Sequence, residues 1–139
     1  MGRPPNKINV TWTQYLALVQ NICTQIQRFQ RKHKISAVIG IPRGGTIPAI
    51  MISHALGIKY LERWEPILYK TVLLVDDVTD HGTTLENYKK SLEQQFYLKS
   101  GSGKILTAVL YKHKKCPLTP DFYVAEKEKW VVFPYEKRK

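Results

Sequence analysis

The run Val72-Leu73-Leu74-Val75-Asp76-Asp77-Val78-Thr79-Asp80-His81-Gly82-Thr83-Thr84-Leu85 constrains this chain more than any other feature. Its four leading apolar residues read as a short strand buried on both faces. Two adjacent carboxylates, Asp76 and Asp77, close that strand, where an open α/β sheet places its ligands. A loop of Asp, His, Gly and two Thr follows, and then an amphipathic pattern begins with Leu85, Tyr88, Leu92 and Phe96. A loop feeding a helix N-terminus offers backbone N–H groups, hydroxyls and the positive end of the helix dipole to an anion. Carboxylates beside such a cradle repel a bare phosphate. They suit a ligand carrying vicinal hydroxyls, a divalent metal and a phosphate together, such as a phosphorylated ribose.

Composition sets the scale around that motif. At 139 residues the chain is expected to form one domain, spanning 1–139, with a single core. Hydrophobic content of 43% is ordinary for a globular protein, and no apolar run approaches membrane-spanning length. The start, Met-Gly-Arg-Pro-Pro-Asn-Lys, carries no apolar targeting core, so a cytoplasmic protein without membrane contact is expected. Cys23 and Cys116 lie far apart in sequence and form neither a metal-ligand spacing nor a disulfide framework. The net charge of +11 is spread along the chain, with clusters at Arg28 to Lys34, Lys112 to Lys115 and Lys137 to Lys139. No zinc-finger spacing or Gly-aromatic RNA-binding signature accompanies it, so nucleic acid is not the expected partner. A positive field also steers a polyanionic substrate, and that reading is preferred.

The chain reads as alternating strands and helices. Residues 1–10 suggest an extended arm. Thr11 caps a helix from Trp12 to about Lys32, with an apolar stripe of Trp12, Leu16, Val19, Cys23, Ile26 and Phe29. Ala37 to Ile41 is a buried strand, Pro42 to Thr46 a turn, and Ile47 to Leu56 a helix ended by Gly57. Ile58 to Leu61 forms a further strand before the motif strand at Val72, and a helix runs from Thr84 to about Leu98. Strands are expected at Ile105 to Tyr111, Phe122 to Ala125 and Val131 to Phe133. The order implies an α/β domain: a mainly parallel twisted sheet with helices on both faces.

The segment Val72 to Leu85 resembles the phosphoribosyl-pyrophosphate (PRPP) motif of type I phosphoribosyltransferases, with strand, acidic pair and loop in register. The resemblance implies that Asp76 and Asp77 hold the ribose hydroxyls, directly or through Mg²⁺. It implies that His81, Gly82, Thr83 and Thr84 hold the 5′-phosphate, and that Asp80 handles a proton of the base. A second loop, Gly40-Ile41-Pro42-Arg43-Gly44-Gly45, leaves a neighbouring strand. Its glycines let backbone approach a ligand, and Arg43 offers a bidentate fork to phosphate oxygens. It is similar to the family's pyrophosphate loop, here Arg43 and Gly44, in which a non-proline cis peptide can occur; Pro42–Arg43 is the candidate.

Toward the C-terminus the likeness narrows. Tyr111-Lys112 ends a strand, and Trp130-Val131-Val132-Phe133-Pro134-Tyr135-Glu136 supplies an aromatic-Pro-aromatic-acidic segment. Xanthine-guanine phosphoribosyltransferases look much like this, and their early Val-Thr-Trp is present as Val10-Thr11-Trp12. That likeness implies a small C-terminal base-binding segment. In it Trp130 stacks on the purine, Lys112 donates to its 6-oxo group, and the backbone of Val131 reads its edge. It also implies that Glu136 reaches a second Mg²⁺ held with pyrophosphate, while Asp77 faces the metal at the ribose. The expected activity is transfer of the phosphoribosyl group of PRPP to guanine, xanthine or hypoxanthine. Alternatives are a PRPP- or nucleotide-binding regulator, or transfer to a different base. Two departures stand out. The link Leu61 to Thr71 is too short for the family's long closing loop, which suggests a homodimer or larger assembly with Trp64 and Tyr69 at the contact. His81 stands where the family commonly carries Thr.

Overall fold

The computed structural model describes residues 7–64, 71–100 and 104–136, with backbone alone over 96–100. Its elements run β1 (Lys7–Asn9), α1 (Trp12–Phe29), β2 (Ala37–Gly40), α2 (Thr46–Leu56), β3 (Lys59–Leu61) and β4 (Thr71–Thr79). They continue with α3 (Thr83–Ser100), β5 (Lys104–His113), β6 (Phe122–Lys127) and β7 (Trp130–Val132). Five strands form one parallel sheet in the order β3-β2-β4-β5-β6, and β1 pairs with β7 in a separate parallel ribbon. The α/β class, the parallel sheet and the element order expected from sequence are all present. The extended arm begins as β1, while residues 1–6 and most of the β3–β4 link, Tyr69 included, lie outside the described residues.

Alternation along the central strands explains why the sheet is covered twice. Val38, Leu73, Val75, Leu106 and Ala108 face α1 and α2 in one buried cluster. Ala37, Val72, Leu74, Ile105 and Val109 face the other way, against Leu85 and Leu92 of α3. A strand apolar on both faces belongs inside a parallel sheet, and β4 sits at its centre between β2 and β5. Trp64 packs against the α3-side cluster within this chain.

Helix α1 opens on a capping box: Gln14 N donates to Thr11 Oγ1 at 3.1 Å and Thr11 N to Gln14 Oε1 at 2.9 Å. Its buried face is Tyr15, Val19, Ile22, Cys23 and Ile26. The expected stripe was therefore partly out of phase, since Trp12 is 54% and Leu16 48% exposed. Tyr15 displaces them because its ring meets Trp12, Phe133 and Tyr135 with centroids 5.6 to 5.9 Å away. Those edge contacts tie α1 to the C-terminal segment. Gln25 of α1 adds a side-chain bond to the Tyr123 carbonyl of β6, at 2.9 Å.

Strands also run longer than periodicity suggested. β4 continues through both aspartates to Thr79, because β5 pairs with it as far as Thr79↔Lys112. Between β5 and β6, Asp121 Oδ2 accepts from Thr107 N at 2.8 Å, and Asp121 N donates to Thr107 Oγ1 at 3.1 Å. That reciprocal pair fixes the return of the chain. The phase of α1 is testable by urea unfolding. Ile22→Ala should cost about 2–5 kcal/mol, and Leu16→Ala no more than roughly 0.5–1 kcal/mol. The reverse order would restore the stripe read from sequence.

Candidate active site

Four segments meet at the C-terminal edge of the sheet, where β2 and β4 end side by side. The loop after β2 turns back sharply, with Ile41 N bonded to Val75 O at 2.8 Å and Gly45 N to Ile41 O at 2.9 Å. The Pro42–Arg43 peptide within it is cis, as the sequence candidate had it. Gly44 lies so close to Asp77 that a Cβ there would collide with the Asp77 carboxylate. Any side chain at 44 has to push that carboxylate aside. The Arg43-Gly44 loop and the acidic pair therefore form one unit.

The acidic pair is crowded. Asp77 N donates to Asp76 Oδ1 at 2.9 Å, and Val78 N to Asp77 Oδ1 at 2.7 Å. Burial, and then the charge of Asp77, push the Asp76 carboxyl up to about 8. Asp77 is also the acceptor of a hydroxyl from the C-terminal segment, Tyr135 Oη to Asp77 Oδ2 at 3.2 Å. Burial and the Asp77 charge raise both Tyr135 and Tyr15 above the ordinary phenol range, so both stay neutral and Tyr135 keeps the proton that it donates to Asp77.

Beyond β4, Asp76, Val78 and the run Thr79–Thr84 line a cleft of ≈ 250 Å³. Gly82 makes its tight turn with φ 84, and its carbonyl accepts from Glu86 N at 2.8 Å as α3 begins. The first-turn N–H groups of α3 have no carbonyl of their own helix to bond, and they open on this cleft. His81, Thr83 and Thr84 are exposed at its mouth. The structure thus gathers Asp76, Asp77, Asp80, His81, Gly82, Thr83 and Thr84 with Gly44 at one edge.

The expected base-binding residues and Glu136 lie on β5, on β7 and just past it. Trp130 opens β7 with 56% of its surface exposed, a free aromatic face, while the Val131 side chain is core. Lys112 is buried, with Nζ donating to His113 O at 3.3 Å and 3.9 Å from Glu126. Glu136 Oε1 accepts from Phe133 N at 2.8 Å within its own turn. Its neighbour Tyr135 reaches Asp77. Among the described residues no group of three or more His, Cys, Asp or Glu is positioned to hold a metal ion. Sequence reasoning also missed Lys127, whose buried ammonium forms an ion pair with Asp80. A lysine three residues before Trp130 carries no sequence signal until β6 is known to run beside β5.

Two outcomes follow from this geometry. Gly44→Ala should displace the Asp77 carboxylate and break the Tyr135 bond; a 1 Å displacement of such a group costs a ligand or reaction up to roughly 100-fold. Unchanged ligand affinity in that variant would show that Asp77 is not held by this loop. For Asp76, the folded-state value near 8 lies above the unfolded value of about 4. The stability this group contributes is full below pH 4 and is lost as pH rises through 8. Asp76→Asn should therefore gain on the wild type in urea midpoint between those values and level off above them. A pH-independent difference would mean that Asp76 ionises as an exposed carboxylate does.

No family model matches the chain. A curated relative, the xanthine-guanine phosphoribosyltransferase of Cereibacter sphaeroides (strain ATCC 17025 / ATH 2.4.3), is 28% identical over 124 residues, 72% of this chain and 68% of its own. The solved purine phosphoribosyltransferase from Pyrococcus horikoshii Ot3 superposes with TM-score 0.80 and 28% identity, over 96% of this chain and 95% of its own. The Helicobacter pylori xanthine-guanine-hypoxanthine phosphoribosyltransferase shares the fold with TM-score 0.76 at 17% identity, over 92% of this chain and 90% of its own. With an acidic strand end, an anion loop and a neighbouring glycine turn at one sheet edge, the chain is similar in sequence and in fold to purine phosphoribosyltransferases, xanthine-guanine members among them.

Proposed function

We propose that the protein transfers the phosphoribosyl group of PRPP to a 6-oxopurine, releasing pyrophosphate. The observation that carries this reading is the single edge at which Gly44, the Asp76–Asp77 pair and the Thr79–Thr84 cleft meet. Its supports are the xanthine-guanine and purine phosphoribosyltransferases to which the chain is similar. A phosphoribose needs those three elements together: hydroxyl acceptors, a phosphate cradle and a second anion site beside them.

Each group has a role that its surroundings suit. The Thr83 and Thr84 hydroxyls and the N-terminus of α3 bind the 5′-phosphate. Asp76 and Asp77 accept from the 2′- and 3′-hydroxyls, with Tyr135 fixing the second carboxylate. Arg43 faces the pyrophosphate and stabilises its charge as it leaves. The reaction breaks the bond from ribose C1′ to pyrophosphate and forms one from C1′ to the purine nitrogen, through an oxocarbenium-like state. Asp80 takes up the proton shared by the base's imidazole nitrogens. Trp130 offers a π-face on which the purine stacks.

Mg²⁺ fits this donor set. Burial, and then the Asp77 charge beside it, push the Asp76 carboxyl up to about 8, and a cation at the pair would offset both. Mg²⁺ characteristically uses one or two carboxylates, waters and substrate oxygens in preference to a full protein cage. Asp77, and Asp76 once ionised, would hold it, and there it would neutralise the pyrophosphate charge.

Incubation with PRPP, Mg²⁺ and each purine base, with nucleotide formation followed directly, tests the reaction. Guanine, hypoxanthine or xanthine should be converted and adenine should not. The double variant Asp76→Asn/Asp77→Asn should abolish binding of PRPP and of the nucleoside monophosphate while the unfolding transition persists. Conversion of adenine or a pyrimidine in preference would reject the 6-oxopurine assignment. Tight PRPP binding without turnover would favour the regulatory alternative.

A further inference from the structure

One cluster of the chain's cations lies where the proposed reaction does not use it. Helix α1 ends at Phe29, whose ring meets that of Phe122 at the start of β6, centroids 5.5 Å apart. The turn that follows is tied to the start of β4, with Ser36 N bonded to Thr71 O at 2.8 Å. Thr71 stands opposite Lys104, the first residue of β5. Arg28, Arg31, Lys32, Lys34 and Lys104 therefore gather at the N-terminal edge of the sheet, and all are exposed. Arg28, in the last turn of α1, complements the helix dipole, which gives a local reason for that residue alone. Residues 28–37 include no Asp or Glu, and the carboxylate of Asp121, ahead of β6, is committed to Thr107.

This edge is the far one from the acidic pair. Asp76 is five residues along β4 from Thr71, roughly 17 Å at about 3.3 Å per residue. The Debye length at physiological ionic strength is about 8 Å, so the field of these cations is largely screened before it reaches Asp76. The cluster at Lys112 to Lys115 differs. Lys112 is level with Thr79 at the end of β4, so Lys114 and Lys115, both exposed, belong to the ligand edge and suit the steering of a polyanionic substrate.

We propose that the N-terminal edge of the sheet docks the phosphate backbone of a nucleic acid, independently of the pocket at the opposite edge. Arg28 and Arg31, three residues apart, present guanidinium forks to phosphate oxygens, and the lysines add point charges around them. The exposed His33 ring, beside Phe29 with centroids 5.0 Å apart, adds an aromatic face on which a base stacks. A lipid surface is the less fitting polyanion, because a membrane-seated face also inserts apolar side chains. Among the described residues the exposed large apolar side chains are Trp12, Leu16, Ile50, Tyr88 and Trp130, and none stands in this turn or at these strand starts.

Fluorescence anisotropy with a mixed-sequence single-stranded RNA oligonucleotide tests this on the wild type and on two variants of equal charge change, Arg31→Glu/Lys34→Glu and Lys114→Glu/Lys115→Glu. Neutralising about three to five phosphates gives a log–log salt slope of about −2 to −3.5. Wild-type affinity should then fall roughly 20- to 130-fold between about 50 and 200 mM salt. Arg31→Glu/Lys34→Glu should bind at least about 10-fold more weakly at the lower salt and flatten the slope by roughly 1.4, the share of two phosphates. Its PRPP affinity by calorimetry should stay within about twofold of the wild type. Lys114→Glu/Lys115→Glu should keep most of its RNA affinity. Equal RNA losses in the two variants would mean that net charge alone attracts RNA, and would overturn the docking edge. So would a wild type that binds no RNA, one that binds phosphatidylserine vesicles and not RNA, or an Arg31→Glu/Lys34→Glu variant whose PRPP affinity falls with its RNA affinity. All four substituted positions are exposed, and the urea midpoint checks that each variant folds. Should it shift, Arg31→Gln/Lys34→Gln takes the place of the glutamate variant, with the same change of slope deciding.

Discussion

The approach of Gly44 to the Asp77 carboxylate is the contact on which the site depends. It exists because β2 and β4 are adjacent and parallel, so their loops emerge at the same edge. Asp77 is held from the opposite side by Tyr135, whose ring packs on Tyr15 of α1. Three segments remote in sequence thus converge on one carboxyl group. Displacement of any of them moves the group, which is why a glycine and a tyrosine with no evident chemistry of their own belong to the machinery. Side chains that touch only a neighbouring carboxylate can matter as much as those that touch a substrate.

Charge is arranged in opposition at two scales. The chain as a whole carries +11, yet the centre of its main sheet edge holds two aspartates in a partly buried position. An outer field of that sign favours polyanions, while an acidic pair at the edge favours those that bring hydroxyls or a cation. A bare phosphate gains from the first and is repelled by the second. The inner cations, Lys112 and Lys127, are each placed near an acidic side chain, so neither is an uncompensated buried charge.

Most of this architecture was legible in the residues. The β-rich run ending in Asp76-Asp77, the glycine turn at Gly44 and the cap at Thr11 each have a local cause, and each lies where its pattern placed it. The less legible features have non-local causes. Trp12 and Leu16 match a helical stripe as well as Tyr15 and Ile22 do; the choice between them is made by Phe133 and Tyr135, far along the chain. Lys127 is one lysine among many until β6 is laid beside β5, and only then does its reach to Asp80 exist. Glu136 was assigned by its place in a motif, whereas the Phe133 N–H competes for its oxygen at close range. Periodicity reports which face is apolar and is silent about which distant partner will claim a polar group.

The ribbon of β1 and β7 has a kinetic meaning. Each strand is three residues long, and Ile8 faces Val131 across nearly the whole described chain. Closing so long a loop is entropically costly, and the return on it is the burial of Val131 and Phe133 in the core that α1 and the central sheet share. Trp130 and the turn bearing Tyr135 are carried on that ribbon and the residues just past it. The segment that presents Trp130 is therefore anchored in the same core as the strand that ends in Asp76 and Asp77. A ligand touching both would add to that coupling, because whatever binds only the folded chain raises its stability.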